Sequence, residues 1–210
     1  MPQLRHASPE ITAQAAELIA AGRELYARGM VPATSGNFSV RLSNGDILIT
    51  VSGAHKGKLD ASQLMLIDAN GHSLDGRRSS AETALHLQLY RRFPDCNAVL
   101  HPHPASATLL SRLDSGPCVL RGYELLKALP GIDTHDCEVV IPNFPNDQDI
   151  GRLAQQVEDY MDRHGQVAAY LISGHGFYTW GASVSDTLRH VEALEFLFEC
   201  ELRLLGVKRP

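Results

Sequence analysis

The chain has 210 residues, 44% of them hydrophobic, and a formal net charge of −5 with histidine counted as neutral. That length and apolar share suffice for one domain with a sizeable core, and the mildly acidic balance, with both signs scattered, gives no basic patch for a nucleic acid. No run of about 18 apolar residues, the length a membrane-crossing helix needs, occurs in the sequence, and Met1 to Arg5 lacks the apolar stretch of a signal peptide. Cys96, Cys118, Cys137 and Cys200 form no Cys-x-x-Cys pair. They read as reduced, packed thiols, so a cytoplasmic protein is expected.

Ser8-Pro9-Glu10 opens a helix with a capping residue, a proline in the first turn and an acid beside it. Ile11, Ala15, Leu18, Ile19, Gly22, Leu25 and Tyr26 continue it at helical spacing to about Gly29. Phe38 to Leu42 and Ile47 to Val51 read as strands joined at Asn44-Gly45, a strong hairpin signal. Leu64 to Ile67 is a third strand, and a helix is expected from about Ala81 to Arg92, with Ser79 and Glu82 spaced as a capping box. Ala98 to Leu100 is an apolar strand running into His101; Val139 to Ile141 and Val167 to Ile172 are further strands. Asp147 to His164 and Ser183 to Leu205 are helical. Helices alternate with strands, yet the early hairpin forces antiparallel pairing. The expected fold is therefore a three-layer α/β/α domain over residues 1–210, with a mainly antiparallel central sheet.

The chemistry concentrates at His101-Pro102-His103. Alternate side chains of a strand share a face, so both rings can address one ion at the strand's end, where Pro102 suits a ladder that is stopping. Neutral imidazoles serve zinc well, and a catalytic zinc has three protein ligands and an open position. Of the ten histidines, His175 is the preferred third ligand, because it follows an apolar strand and its flanking Gly174 and Gly176 permit a sharp turn. Spacing alone leaves ordinary hydrogen-bonded roles open for all three. His86, four residues after Glu82, reads as part of a helix-surface pair.

Thr34-Ser35-Gly36-Asn37-Phe38-Ser39, Ile49 to Gly53, Ser80-Ala81-Glu82, His101-Pro102-His103 and Gly174-His175-Gly176, in that order, resemble the class II (zinc-dependent) aldolase superfamily. The likeness runs from about residue 10 to 205. Leu120 to Ala128, Gly131 to His135 and Asn143 to Ile150 are similar to the dehydratases of the superfamily rather than to its sugar-phosphate aldolases. The resemblance implies one zinc ion on His101, His103 and His175, and a homotetramer with sites near subunit boundaries. It also implies a small sugar-phosphate substrate, 5-methylthioribulose 1-phosphate, which loses water to give a 2,3-diketone phosphate in methionine salvage. Zinc would act as a Lewis acid on the C2 and C3 oxygens.

Two carboxylates are candidates for proton transfer. Glu124 lies in the dehydratase-like segment, and its alternative is a solvated acid in the first turn of a helix. Glu82 matches the acid/base of the aldolases, where some dehydratases carry a cysteine; its alternative is the capping box with Ser79. Asn37, Ser52, Gly53 and Ser80 match phosphate-binding positions, with Lys56 a candidate charged contact. Tyr123 and Phe177 are candidates for an apolar pocket wall, with core packing the commoner fate of such rings. The rival expectations are a class II aldolase acting on a fuculose 1-phosphate type of substrate, and a non-catalytic interaction module like the adducin head.

Overall fold

The computed structural model describes residues 8–206, so the reading of Met1 to Arg5 lies outside them. Helix α1, Pro9–Ala27, starts as its sequence dictates: the Ser8 hydroxyl accepts from the Ile11 amide at 3.3 Å, satisfying one free donor of the first turn. Its buried residues Ala15, Leu18, Ala21, Gly22 and Leu25 form one stripe.

The strands β1 (Asn37–Arg41) and β2 (Ile47–Thr50) form the expected hairpin, with Val40 opposite Leu48 and Gly45 at φ +88°, a conformation that suits glycine. In chain order there follow β3 (Leu64–Ile67), α2 (Thr83–Arg92), β4 (Ala98–His101), α3 (Ala105–Leu113) and β5 (Cys118–Arg121). Then come β6 (Glu138–Ile141), β7 (Asn143–Phe144), α4 (Ile150–His164), β8 (Ala169–Ile172), β9 (Gly176–Gly181) and α5 (Val184–Gly206). The main sheet runs β3-β2-β1-β4-β9-β8-β7, and only β7 and β8 pair in parallel. β5 and β6 form a separate antiparallel ribbon. This is the expected three-layer α/β arrangement, with helices over both faces of a mainly antiparallel sheet.

Two buried clusters explain why the strands read as continuous apolar runs. Phe38 and Val40 of β1, Leu100 of β4 and Phe177 of β9 pack beneath α1 and α5. Val99, Tyr170, Tyr178 and Trp180 join Leu85 and Leu89 of α2 and Leu153 and Val157 of α4 on the other face. Because side chains alternate, Asn37, Ser39 and His101 fall on the α2 face. Polar groups are thereby delivered under one helix.

The capping box expected from Ser79 and Glu82 is not formed. Helix α2 begins at Thr83, Glu82 stands at its N-cap without a capping hydrogen bond, and the Ser79 hydroxyl instead accepts from Thr83 Oγ1 at 2.9 Å. The Glu82 side chain is drawn away by Asn37 on β1, a partner no local spacing encodes.

Candidate metal centre

His101 closes β4 and lies directly opposite Asn37 of β1. Its ring is fully buried, stacked on Tyr178 at a centroid distance of 4.0 Å. The Nδ1–H donates to the Phe177 carbonyl at 2.8 Å, which fixes the tautomer and turns the bare Nε2 toward the sheet end. β4 stops at His101, so His103 lies beyond the strand and is held by its own amide, which donates to the Met30 carbonyl at 2.8 Å. Its Nε2 comes to 2.8 Å from His101 Nε2.

His175 sits in the turn between β8 and β9. Gly174 there has φ +67°, and a Cβ at Gly176 would lie 2.3 Å from the Pro102 carbonyl oxygen. Glycine at both flanks therefore lets the turn fold onto the Pro102–His103 segment, leaving the His103 and His175 rings 4.3 Å apart. Glu82 completes the group, with Oε2 3.4 Å from His101 Nε2 and Oε1 3.5 Å from His175 Nε2. One ligand atom from each of Glu82, His101, His103 and His175 lies within 4.8 Å of all the others. This cluster can coordinate a metal ion: tetrahedral ligands about 2.0–2.1 Å from zinc stand roughly 3.4 Å apart.

The donor chemistry fits as well. Burial, reinforced by His175, keeps His101 well below the usual histidine range, and burial with the neighbouring rings takes His103 down to about 2. Both are neutral imidazoles with a lone pair to give, the form a metal requires.

The cluster opens into a cavity of about 290 Å³ lined by His103, His175, Glu82, Asn37, Ser52, Gly53, Lys56 and Ser80. The three histidines, Glu82 and all five phosphate candidates thus meet at one site. Asn37 has a further engagement, since its amide nitrogen donates to Glu82 Oε2 at 2.7 Å. Glu124 is not brought to the cavity within this chain. It heads the 3-10 segment Glu124–Ala128, its side chain 73% exposed, bonded to Lys127 at 2.6 Å and facing His135 at 3.6 Å. Lys127 holds its carboxyl below the usual range. Tyr123 donates to Glu201 at 2.7 Å, and Phe177 is a core residue packed on Phe198; neither lines the cavity.

Several neighbours had no role at the site assigned from sequence. Thr34, Ser35 and the Asn146-Asp147-Gln148 loop, which carried the family likeness without a site role, line the cavity. His86, expected on a helix surface, is fully buried beneath the site. The available signal for it was the pair Asn37 and Ser39, polar at alternate positions of an apolar strand. A larger groove of about 810 Å³ lies at the far end of β9, around Phe93, Tyr160 and Trp180, away from the cluster.

Residues 16–202 match the Class II Aldolase and Adducin N-terminal domain, and the chain belongs to that family. Among curated relatives, a methylthioribulose-1-phosphate dehydratase of Methylococcus capsulatus is 64% identical over 200 residues, covering 95% of this chain and 98% of that one. Among solved structures, YgbL of Escherichia coli superposes with a TM-score of 0.79 at 27% identity, covering 97% of this chain and 93% of that one. An L-fuculose-1-phosphate aldolase of Thermus thermophilus superposes with a TM-score of 0.74 at 28% identity, covering 94% and 98%.

Proposed function

We propose that this chain is a zinc-dependent hydro-lyase that dehydrates 5-methylthioribulose 1-phosphate to 5-methylthio-2,3-dioxopentyl phosphate, a step of methionine salvage. The observation that carries the reading is the Glu82-His101-His103-His175 cluster opening onto a cavity with Lys56 and small polar residues. The 64% identity to a methylthioribulose-1-phosphate dehydratase supports the choice of substrate. The enzyme is further proposed to be a cytoplasmic homotetramer with no nucleic-acid or membrane partner.

His101, His103 and His175 would hold the zinc, which when bound supplies Lewis-acid polarisation of the substrate's carbonyl. Ser52, Gly53, Ser80 and Lys56 bind the phosphate through small hydroxyls, backbone and one ammonium. That anchorage leaves the C2–C4 portion facing the histidines. A base removes the C3 proton, the C4 hydroxyl departs with a proton as water, and the resulting enol ketonises to the diketone. Glu124 is assigned both proton transfers. Since Glu124 is exposed and outside the cavity of its own chain, this role requires that it enter the site of a neighbouring copy. Glu82, hydrogen-bonded and beside two of the ligands, orients the centre.

The second reading is a class II aldolase cleaving a C–C bond of a sugar phosphate, which the Glu82 position and the likeness to the fuculose-phosphate aldolase favour. A non-catalytic module like the adducin head is disfavoured by the intact ligand set. Incubating the zinc-loaded protein separately with methylthioribulose 1-phosphate and fuculose 1-phosphate distinguishes them. A diketone phosphate from the first is expected. Dihydroxyacetone phosphate from the second, with no diketone from the first, overturns the dehydratase reading. Glu124→Gln should keep its zinc and lose turnover by about 10²-fold or more; near-normal turnover would remove Glu124 from the mechanism.

A further inference from the structure

Beneath the cluster lies a row of buried polar side chains between β1 and α2. β1 turns Asn37 and Ser39 toward α2, and α2 sets His86 and Tyr90 one turn apart above them. All four are buried, Ser39 and His86 completely. His86 Nδ1 lies 2.7 Å from Ser39 Oγ, and that hydroxyl lies 2.7 Å from the Tyr90 hydroxyl. On the other side of the ring, Nε2 meets Asn37 Oδ1, and Asn37 Nδ2 donates to Glu82 Oε2 at 2.7 Å.

Chemistry gives this row a direction. A carboxylate accepts only, so the Asn37 amide presents its nitrogen to Glu82 and its oxygen to the imidazole. That oxygen also only accepts, so His86 Nε2 carries the ring proton. Nδ1 is then bare and accepts a hydrogen bond from the Ser39 hydroxyl, while the Ser39 oxygen accepts from Tyr90. Burial takes His86 down to about 4, so the ring is neutral and has a single proton to give.

We infer that His86, backed by Ser39 and Tyr90, is a positioning residue: its Nε2–H locks the Asn37 amide in the one orientation that donates to Glu82, and so aims the Glu82 carboxylate at His101 and His175. Were the amide to turn over, its oxygen would face the carboxylate, two acceptors would oppose each other, and Glu82 would be released from its place. The effect on turnover rests on the proposed reaction; the hydrogen-bond direction does not.

The test has two arms. In the zinc-loaded wild type labelled with ¹⁵N-histidine, long-range ¹H–¹⁵N spectra read the tautomer of His86, identified by its loss in His86→Gln. The neutral Nε2–H pattern is expected throughout pH about 6 to about 8. An Nδ1–H pattern, or an imidazolium in that range, overturns the inference without reference to activity. In the kinetic arm, the glutamine of His86→Gln can reach Asn37 with its terminal amide, whereas the asparagine of His86→Asn reaches only Ser39. His86→Asn should lower kcat about 10- to 100-fold at unchanged zinc content, with KM within about twofold, and His86→Gln should restore most of the loss. An unaffected His86→Asn, or equal losses in both variants, overturns it. If the wild type dehydrates nothing, the functional proposal falls and the spectra alone decide the hydrogen-bond direction.

Discussion

Lys56 shows what the cavity asks of a single side chain. Only 1% exposed, it is the one fully buried Lys, Arg, Asp or Glu among the described residues. Its ammonium donates to the Ala54 carbonyl at 2.7 Å and the Thr34 carbonyl at 3.2 Å, which leaves one of three donors for the cavity. Burial pushes its pKa down to about 8, against the pull of Glu82. Below about 8 the cation is present and attracts an anion; above it the attraction fades. Competitive inhibition by inorganic phosphate should therefore weaken as pH rises through about 8, and phosphate should inhibit Lys56→Met only weakly at every pH. An inhibition constant flat across that range in the wild type would dissociate Lys56 from phosphate binding. The sign for stability follows from the same depression. Between about 8 and 10.5 the unfolded lysine holds a proton that the folded one has released, so stability rises with pH in that window.

At the scale of elements, α3 and α5 meet at a polar contact inside an apolar seam, where the Ser106 hydroxyl donates to the Glu195 carboxylate. Burial outweighs that hydrogen bond and pushes Glu195 up to about 7. A folded carboxyl raised above its unfolded value binds the extra proton in the native state, so its stabilising contribution is complete below about 4.5 and is lost as pH rises through about 7. Glu195→Gln should remove that slope in Tm; a variant as pH-dependent as the wild type over this interval would count against it. Much of the element plan was legible because its signals are local. Asn44-Gly45 made the hairpin, Ser8-Pro9 the start of α1, and Val99-Leu100-His101 the strand that delivers a ligand. Helix α3 was not, since it follows Pro104 with no side-chain cap. Nor was β9, whose Phe177-Tyr178-Thr179-Trp180 run was not read as a strand, Phe177 being weighed only between a pocket wall and the core. His86 beside Glu82 has one spacing whether the helix faces water or a sheet, and only Asn37 and Ser39, distant in sequence, decide between them.

At the scale of the whole molecule, the placement of the two carboxylates makes a quantitative prediction. If Glu124 serves a neighbour while Glu82 serves its own chain, inactive Glu82→Gln and Glu124→Gln proteins, unfolded and refolded together, should regain activity. In a symmetric oligomer with random mixing about a quarter of the sites would hold both native carboxylates. No regain on mixing would assign both groups to one chain, or Glu124 to neither. The glycines around the ligands carry a further consequence. A Cβ at Gly36 would stand 2.6 Å from the His101 carbonyl oxygen, as one at Gly176 would crowd Pro102. Three stretches of backbone distant in sequence must therefore be in van der Waals contact before the coordination sphere exists. A nascent chain has no such cage to offer, so on the proposed metal reading folding should come first and loading second. On the proposed metal dependence, the ion would meet a finished receptacle, and depriving cells of it should yield folded but idle protein rather than debris for proteases.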